Sequence, residues 1–286
     1  MKTVRLGGVP EYFNWPIISA IRRGKFEEAG INLEWQDITQ GTGRMANMLA
    51  DDELDMAILL TEGITKSIIE GNPSKLIHTY VQSPLTWGIH VPANAGIMNL
   101  KDLVGCSVAI SRFGSGSHLM AILLLQSLGF DPQDFQFLVV DNLDGAREEF
   151  MHNDSVFFLW EKYTTKFLVE KGEFSRIGEW PTPWPCFVVA ATNSVLEEQE
   201  AVKLFLKVLL NEVNHSLSAP DLLESVISEY SLNLEDVKSF LPATNWSRTL
   251  TASRDATTLV IKTFQDIGLL DSKTNQEVWF NFDGPL

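Results

Sequence analysis

The sequence is poor in cysteine and has no long apolar run. Its two cysteines, Cys106 and Cys186, allow one disulfide at most, which excludes a disulfide-held scaffold. Two reduced thiols that pack as small apolar side chains are the simpler interpretation. No stretch of about 18 apolar residues occurs, so the sequence predicts no transmembrane segment.

Positive charge is also scarce. The chain has 22 Lys and Arg against 37 Asp and Glu, a formal net charge of -15. Because contacts to nucleic-acid phosphates need clusters of Lys and Arg, this composition argues against a nucleic-acid partner. There is no long run of like charges that would indicate an acidic or basic tail.

Motifs for common catalytic and metal sites are missing as well. The histidines, at positions 78, 90, 118, 152 and 215, do not show the spacing of zinc ligands. There is no Gly-x-Ser-x-Gly elbow and no P-loop, and two Gly-x-Gly segments lack the rest of a dinucleotide fingerprint. We therefore expect no metal, no cofactor and no dedicated catalytic residue.

Strand-like and helix-like segments alternate along the chain. The apolar patterns predict strands over 3–9, 31–38, 56–60, 77–81, 85–91, 107–110, 135–140, 156–160 and 187–191. They predict helices over 16–24, 26–29, 44–51, 64–70, 119–128, 144–152, 162–171, 197–217, 220–230, 233–240 and 253–267. This order indicates an α/β fold with mainly parallel sheets.

The alternation restarts after about residue 90, and the length suits roughly two domains. We expect two doubly wound β/α lobes. Lobe 1 is discontinuous (1–90 and 190–286), and lobe 2 covers 91–189. Two strand-like crossings, near 87–91 and near 187–191, would join the lobes as a hinge that permits closure around a ligand.

The N-terminus bears on location. Met1, Lys2 and Thr3 run directly into a predicted strand, without the charged region and apolar core of a signal peptide. The sequence as written is therefore expected to be cytoplasmic. If a leader has been removed, a periplasmic or cell-surface location is expected instead.

Six segments carry a resemblance to a known family. They are residues 4–10, 24–31, 55–58, 99–105, 114–117 and 160–161. In this order and spacing, over essentially the whole chain, the sequence resembles the type II periplasmic binding proteins. It is most similar to the group that binds aliphatic sulfonates, nitrate, taurine and thiamine-pyrimidine precursors.

The resemblance implies a small-molecule ligand between the lobes, beyond the carboxyl ends of the strands. It also implies the permease of an ABC transporter as a partner. The sequence departs from the family in two ways. It shows no leader, which puts that partner in doubt, and Glu161 is followed by Lys162 where many relatives have proline.

Candidate ligand-binding residues of lobe 1 lie on the loops after its strands. They are Asn14, Trp15, Gln40, Thr42, Thr61 and Glu62. Aromatic side chains on such loops are good ring platforms, and glycines beside them let the backbone approach a ligand closely. Hinge packing and plain turn chemistry are the structural alternatives.

Candidates in and near lobe 2 include a Gly-Ser-rich turn before a buried helix, whose backbone N–H groups would suit an anion or polar head. The candidates are Ser115, Gly116, Ser117, His118, Trp160, Glu161 and Trp184. Trp160 could stack on a ring and Glu161 could accept from an amino group, which favours an aminopyrimidine over a sulfonate. A helix cap that serves only its own helix, a surface carboxylate and hinge packing are the alternatives.

Three functions follow from this pattern. The first is a solute-binding protein that closes over a small polar metabolite, with a ring-containing ligand as one option. The second is an enzyme on the same fold, resembling thiamine-pyrimidine synthase or cytosolic enzymes of the futalosine route to menaquinone, with Glu62 or Glu161 as the base. The third is a sensor whose closure signals to a partner.

Overall fold

The computed structural model describes residues 2–271 and 277–283, so Met1, on which the leader interpretation depends, lies outside the described residues. The chain divides into two compact units. Unit 1 holds the described residues of 1–83, 184–263 and 270–286. Unit 2 holds 84–183 and 264–269. No helix among these described residues is both long and apolar enough to cross a membrane.

The elements alternate as the sequence predicts. The first segment contains β1 (Lys2–Gly8), α1 (Trp15–Arg22), α2 (Lys25–Glu28), β2 (Ile31–Asp37), α3 (Thr42–Ala50), β3 (Met56–Leu60), α4 (Thr61–Ile69) and β4 (Ser74–Val81). Unit 2 then contains β5 (Thr86–Pro92), β6 (Ser107–Ile110), α5 (Gly116–Ser127), β7 (Phe137–Val139), α6 (Leu143–His152), β8 (Val156–Glu161), α7 (Lys166–Glu170) and β9 (Phe174–Pro181). The chain continues with β10 (Phe187–Thr192), α8 (Asn193–Leu196), α9 (Gln199–Ser216), α10 (Leu222–Tyr230), α11 (Leu234–Phe240) and α12 (Arg254–Asp266).

The sheet of unit 1 has the order β2-β1-β3-β10-β4. Strand β1 runs parallel to β2 and β3, whereas β10 is antiparallel to β3 and to β4, with Phe187 opposite Leu60 and Val81. The carboxyl ends of β1, β2, β3 and β4 and the amino end of β10 therefore meet at one edge. We call this edge, with its loops, the unit 1 edge.

Both faces of this sheet are covered, which explains its apolar central strands. Strand β3 is buried except for its last residue, and β10 is buried throughout. On one face, Leu59 packs with Ile64 and Ile68 of α4 and with Leu49 of α3. This packing fixes the start of α4 against the end of β3.

The sheet of unit 2 has the order β7-β6-β8-β5-β9. Strand β6 is parallel to β7 and β8, and β5 is antiparallel to β8 and β9, so that Trp87 lies opposite both Glu161 and Trp180. The carboxyl ends of β6, β7, β8 and β9 and the amino end of β5 share one edge. We call this the unit 2 edge.

The structure confirms an α/β fold with two sheets, each with one reversed strand. The reversed strands β5 and β10 are the segments predicted as crossings, but each lies wholly within one sheet. The predicted boundaries at 90/91 and 189/190 fall inside these strands. The chain passes between the units at 83/84, 183/184, 263/264 and 269/270.

Strand β9 is an element that the sequence patterns did not predict. It is a partly exposed edge strand that contains Gly178 and ends at Pro181, both unfavourable for β structure. Its pairing with β5 stabilises the extended conformation, which its own sequence does not favour.

Candidate functional site

The unit 1 edge brings together seven of the predicted residues. They follow β1 (Asn14, Trp15), β2 (Gln40, Thr42) and β3 (Thr61, Glu62), or precede β10 (Trp184). In sheets of this kind, ligands bind beyond the carboxyl ends of the strands. Their roles differ. Some of these side chains form hydrogen bonds with other residues of unit 1, and others keep polar atoms without a partner among the described residues.

Asn14 is buried and held in one orientation. Its Nδ2 donates to the carbonyl of Val9 at 2.7 Å, and its Oδ1 is buried without a hydrogen-bond partner among the described residues. A Cβ on Gly8 would lie 2.9 Å from Asn14 Nδ2 and 2.3 Å from the Trp35 ring, so only glycine fits there. The neighbouring Trp15 is also buried, and its indole N–H has no partner in the described part of the chain.

The other two aromatic residues of this loop serve packing. The carbonyl of Phe13 accepts hydrogen bonds from the Tyr80 hydroxyl at 2.9 Å and from the Trp246 indole N–H at 2.7 Å. The Tyr12 ring stacks on Phe240 with a centroid distance of 3.8 Å. These contacts anchor the loop and set the position of Asn14.

Glu62 is the most unusual ionisable group of this edge. It lies in the first turn of α4 and is 1% exposed. The Trp184 indole N–H donates to Oε2 at 2.9 Å, while Oε1 is buried and unpaired within the described residues. Burial raises the pKa of Glu62 to about 7, against the opposing effect of its backbone and Trp184 hydrogen bonds. Near neutral pH, this carboxyl group is therefore divided between its two protonation states.

Thr61 and Thr42 have structural partners instead. Thr61 Oγ1 donates to the carbonyl of Pro185 at 2.6 Å, which ties the start of α4 to the segment before β10. Thr42 Oγ1 accepts from the backbone N–H of Leu60 at 3.1 Å. A Cβ on Gly63 would lie 2.5 Å from the Thr42 methyl, so Gly63 permits this contact. Gln40 is exposed at the same edge.

Thr65 belongs to this edge although the sequence analysis did not select it. It is fully buried, and its Oγ1 has no partner among the residues that the structure describes. It lies three residues after Glu62 on α4, so the two side chains share one helix face. The spacing of these two polar residues around the buried Ile64 can be read from the sequence.

The unit 2 edge holds the predicted Gly-Ser-rich turn. Ser115 caps α5 by accepting from the His118 backbone N–H at 3.3 Å, and Gly116 is the first helical residue. Ser117 Oγ accepts from the Ser111 backbone N–H at 2.9 Å and lies 3.1 Å from Ser115 Oγ and 3.2 Å from Ser111 Oγ. Three hydroxyl groups thus cluster at the positive end of a helix dipole.

His118 shapes this turn as a neutral ring. Its Nδ1 accepts from the Gly114 backbone N–H at 3.0 Å, which places the proton on Nε2. Burial lowers the pKa of His118, and the rings of Phe113 and Phe137 meet it edge-on at centroid distances of 5.3 and 4.9 Å. The Nδ1 atom of His118 therefore has a structural role, which is to hold the turn at Gly114.

Trp160 and Glu161 end β8 at the same edge. The Trp160 ring is half-buried and stacks on Phe158 at a centroid distance of 5.1 Å. Glu161 Oε2 accepts from the backbone N–H groups of Tyr163 at 2.9 Å and Thr164 at 2.6 Å and from the Thr164 hydroxyl at 2.8 Å. Burial raises the pKa of Glu161, although these three bonds oppose the shift. One oxygen of Glu161 therefore orders the turn after β8.

Lys162 stands where many relatives have proline, and a local contact explains this difference. The backbone N–H of Lys162 donates to the carbonyl of Thr86 at 3.1 Å, which extends the pairing of β8 with β5 by one bond. Proline has no N–H and could not form it. The Lys162 ammonium group also contacts Glu179 at 2.8 Å.

Two indoles of the unit 2 edge complete the set. The Nε1 atoms of Trp87 and Trp180 are buried and have no partner in the described part of the chain, and the two residues are opposite each other on β5 and β9. Trp180 is not among the predicted site residues, because its strand was not predicted. Arg112, also not selected, is exposed in the same turn as the serines.

A family model described as Ca3427-like PBP (periplasmic binding protein) matches residues 87–180, which lie within unit 2. No curated protein sequence matches the chain.

Solved structures match over the whole length. The CA3427 gene product of Candida albicans has 26% sequence identity and a TM-score of 0.87, with 99% of each chain covered. The alkanesulfonate-binding protein SsuA of Xanthomonas axonopodis pv. citri, bound to MOPS, has 15% identity and a TM-score of 0.75, with 97% of this chain and 96% of that chain covered. The aliphatic sulphonate binding protein SsuA of Escherichia coli has 16% identity and a TM-score of 0.74, with 98% of each chain covered.

These matches confirm the resemblance seen in the sequence. The chain has the type II periplasmic binding protein fold and is similar, within that fold, to the Candida albicans CA3427 protein.

Proposed function

We propose that the protein is a solute-binding protein that holds a small polar metabolite through the loops of its unit 1 and unit 2 edges. Closure of the two units around the solute would be the binding step, as in hinge-bending proteins generally. A permease of an ABC transporter is the partner that this function would call for.

The observation that carries the proposal is a set of buried polar atoms without partners among the described residues. They occur at both edges, as Asn14 Oδ1 and Glu62 Oε1 in unit 1 and as the indole N–H groups of Trp87 and Trp180 in unit 2. Leaving such an atom unpaired costs about 1–3 kcal/mol, so native proteins rarely do so without a reason. A polar solute that pairs with these atoms supplies that reason.

The chemistry of the unit 2 edge supports a solute with an anionic or acceptor group. Ser111, Ser115 and Ser117 place hydroxyl groups at the start of α5, where backbone N–H groups and the helix dipole favour negative charge. The half-buried Trp160 offers a face for a ring. Organic sulfonates and thiamine-pyrimidine precursors are thus the first two classes to test.

The first experiment asks what the purified protein binds. We expect mass spectrometry of the denatured protein, after incubation with a metabolite extract, to detect one retained small molecule. That molecule should raise the melting temperature by mass action. Trp160→Ala should weaken its retention, since the substitution removes a half-buried ring. If no molecule from the extract is retained or stabilises the fold, the proposal is wrong.

An enzyme on the same fold is the second candidate, and Glu62 is the observation that favours it. A buried carboxyl group with a pKa of about 7 is suited to act as a general base near neutral pH. Conversion of the retained molecule on prolonged incubation, lost in Glu62→Gln, would support this candidate. Release of that molecule unchanged would support binding alone.

A further inference from the structure

The unpaired atoms of the unit 1 edge are mainly hydrogen-bond acceptors. Asn14 Oδ1 can only accept, because its Nδ2 donates to Val9 and fixes the amide orientation. Glu62 Oε1 accepts when the group is ionised, and Thr65 Oγ1 can accept as a hydroxyl. The three side chains are 1%, 1% and 0% exposed, respectively. We call Asn14, Glu62 and Thr65 the acceptor cluster.

The three residues lie on segments that follow adjacent strands of the sheet. Asn14 follows β1, Glu62 and Thr65 follow β3, and β1 pairs with β3 in the sheet. Glu62 and Thr65 share one face of α4. The Trp184 N–H holds Glu62 Oε2, so Oε1 is the oxygen that remains to be paired.

We propose that the acceptor cluster binds an N–H donor group of the solute, such as an amino or amidino nitrogen. The inference rests on the proposed function and specifies the chemistry of its solute. An anionic group would be repelled by the Asn14 amide oxygen and by ionised Glu62, whereas an N–H group pairs with both. The neighbouring thiol of Cys186 stays protonated, because burial and the proximity of Glu62 raise its pKa.

The unpaired atoms of the unit 2 edge have the opposite character. The indole N–H groups of Trp87 and Trp180 can only donate. If one solute contacts both edges, as the proposed function holds, it carries an N–H donor in one part and an acceptor or anionic group in another. Trp15, whose indole N–H is also unpaired in the described chain, adds one donor to the unit 1 edge. A ring nitrogen beside an amino group, or the second nitrogen of an amidine, could accept a hydrogen bond from this Trp15 N–H.

Two pairs of probes that differ by one amino group test the inference. They are 4-aminobenzenesulfonate against benzenesulfonate, and 2-aminoethanesulfonate against ethanesulfonate. Isothermal titration calorimetry with wild-type protein should give, in at least one pair, affinity about tenfold higher for the amino member. Such a factor is the contribution of one well-placed hydrogen bond to a charged group.

Variants assign this preference to the cluster. Glu62→Gln keeps an acceptor for the Trp184 N–H but presents an amide N–H₂ group where the cluster needs an oxygen. Thr65→Val keeps the shape and removes the hydroxyl. Each should reduce the amino preference, measured as the ratio of the two affinities within a pair. Glu70→Gln is the matched control, because Glu70 lies at the far end of α4, is exposed and pairs with Lys66.

The outcomes separate the two proposals. If amino-free sulfonates bind as tightly as their amino partners, or if the preference survives both variants, the inference is wrong and the binding function stands. If neither the four probes nor any extract molecule stabilises the wild-type protein, the binding function and the inference fail together. Circular dichroism of each variant verifies that a loss of binding is not a loss of fold.

Discussion

At the scale of single residues, the buried ionisable groups decide how the protein responds to pH. Glu62, His78 and His90 are almost fully buried, and each has at least one side-chain atom without a partner among the described residues. Burial disfavours the charged form of every one of them. Burial raises the pKa of a carboxyl group and lowers the pKa of an imidazole. The two kinds of group therefore change the unfolding free energy in opposite directions as the pH rises, and their effects can be separated.

Glu62 should destabilise the fold as the pH rises from 4.5 to 7. In this window the folded state keeps the proton that the unfolded chain has lost, because the pKa is about 7 in the fold against 4.5 for the free group. Urea unfolding of wild type and Glu62→Gln should diverge in favour of the variant by about 3 kcal/mol between pH 4.5 and pH 8. Curves that remain parallel would contradict the assignment.

His78 and His90 should destabilise the fold in acid. Burial lowers the pKa of each from 6.5 to about 4, so between these values the unfolded state binds a proton that the folded state does not. Each histidine removes up to about 3 kcal/mol of unfolding free energy as the pH falls from 6.5 to 4. His78→Gln and His90→Gln should each flatten this decline. If neither variant declines less steeply than the wild-type protein, the prediction is wrong.

At the scale of elements, strand ends and helix starts position the candidate site. Strand β8 ends at Glu161, whose Oε2 orders the next turn, and α5 starts at Ser115, which caps it. Neither contact needs a ligand, so part of the unit 2 edge is formed in advance. A structural role in place of ligand binding therefore applies to particular atoms, such as Glu161 Oε2 and Ser115 Oγ. It does not apply to these residues as a whole.

Lys162→Pro tests the strand pairing at this position. The change removes the Lys162 N–H bond to Thr86 as well as the ion pair with Glu179, whereas Lys162→Ala removes the ion pair alone. A buried or half-buried backbone bond contributes about 1 kcal/mol, and an exposed ion pair less. Urea unfolding should therefore place the proline variant about 1 kcal/mol below the alanine variant. Equal stabilities would show that this bond contributes nothing.

At the scale of the whole molecule, the sequence predicted the order of elements better than their pairing. The runs that became β3 and β10 are buried on both faces and are visible as apolar segments. The reversal of β5 and β10 and the existence of β9 depend on pairing between distant segments, which local patterns do not contain.

The sheet edges that carry the candidate residues were predictable from the sequence, but the contacts of their individual atoms were not. Loops after strands pointed to Asn14, Glu62 and Ser117, and the structure places them at the expected sheet edges. Which atoms remain unpaired depends on partners far away in sequence, such as Trp184 for Glu62. Trp180 and Thr65 were missed because one lies on an unpredicted strand and the other inside a helix.

Solute binding is tested most directly by calorimetric titration of the wild-type protein with the small molecule that it retains from a metabolite extract. We expect saturable binding of one molecule per chain, weakened by Glu62→Gln in unit 1 and by Trp160→Ala in unit 2, and unchanged by Glu70→Gln. An affinity that neither Glu62→Gln nor Trp160→Ala changes would contradict this expectation, and so would the absence of saturable binding.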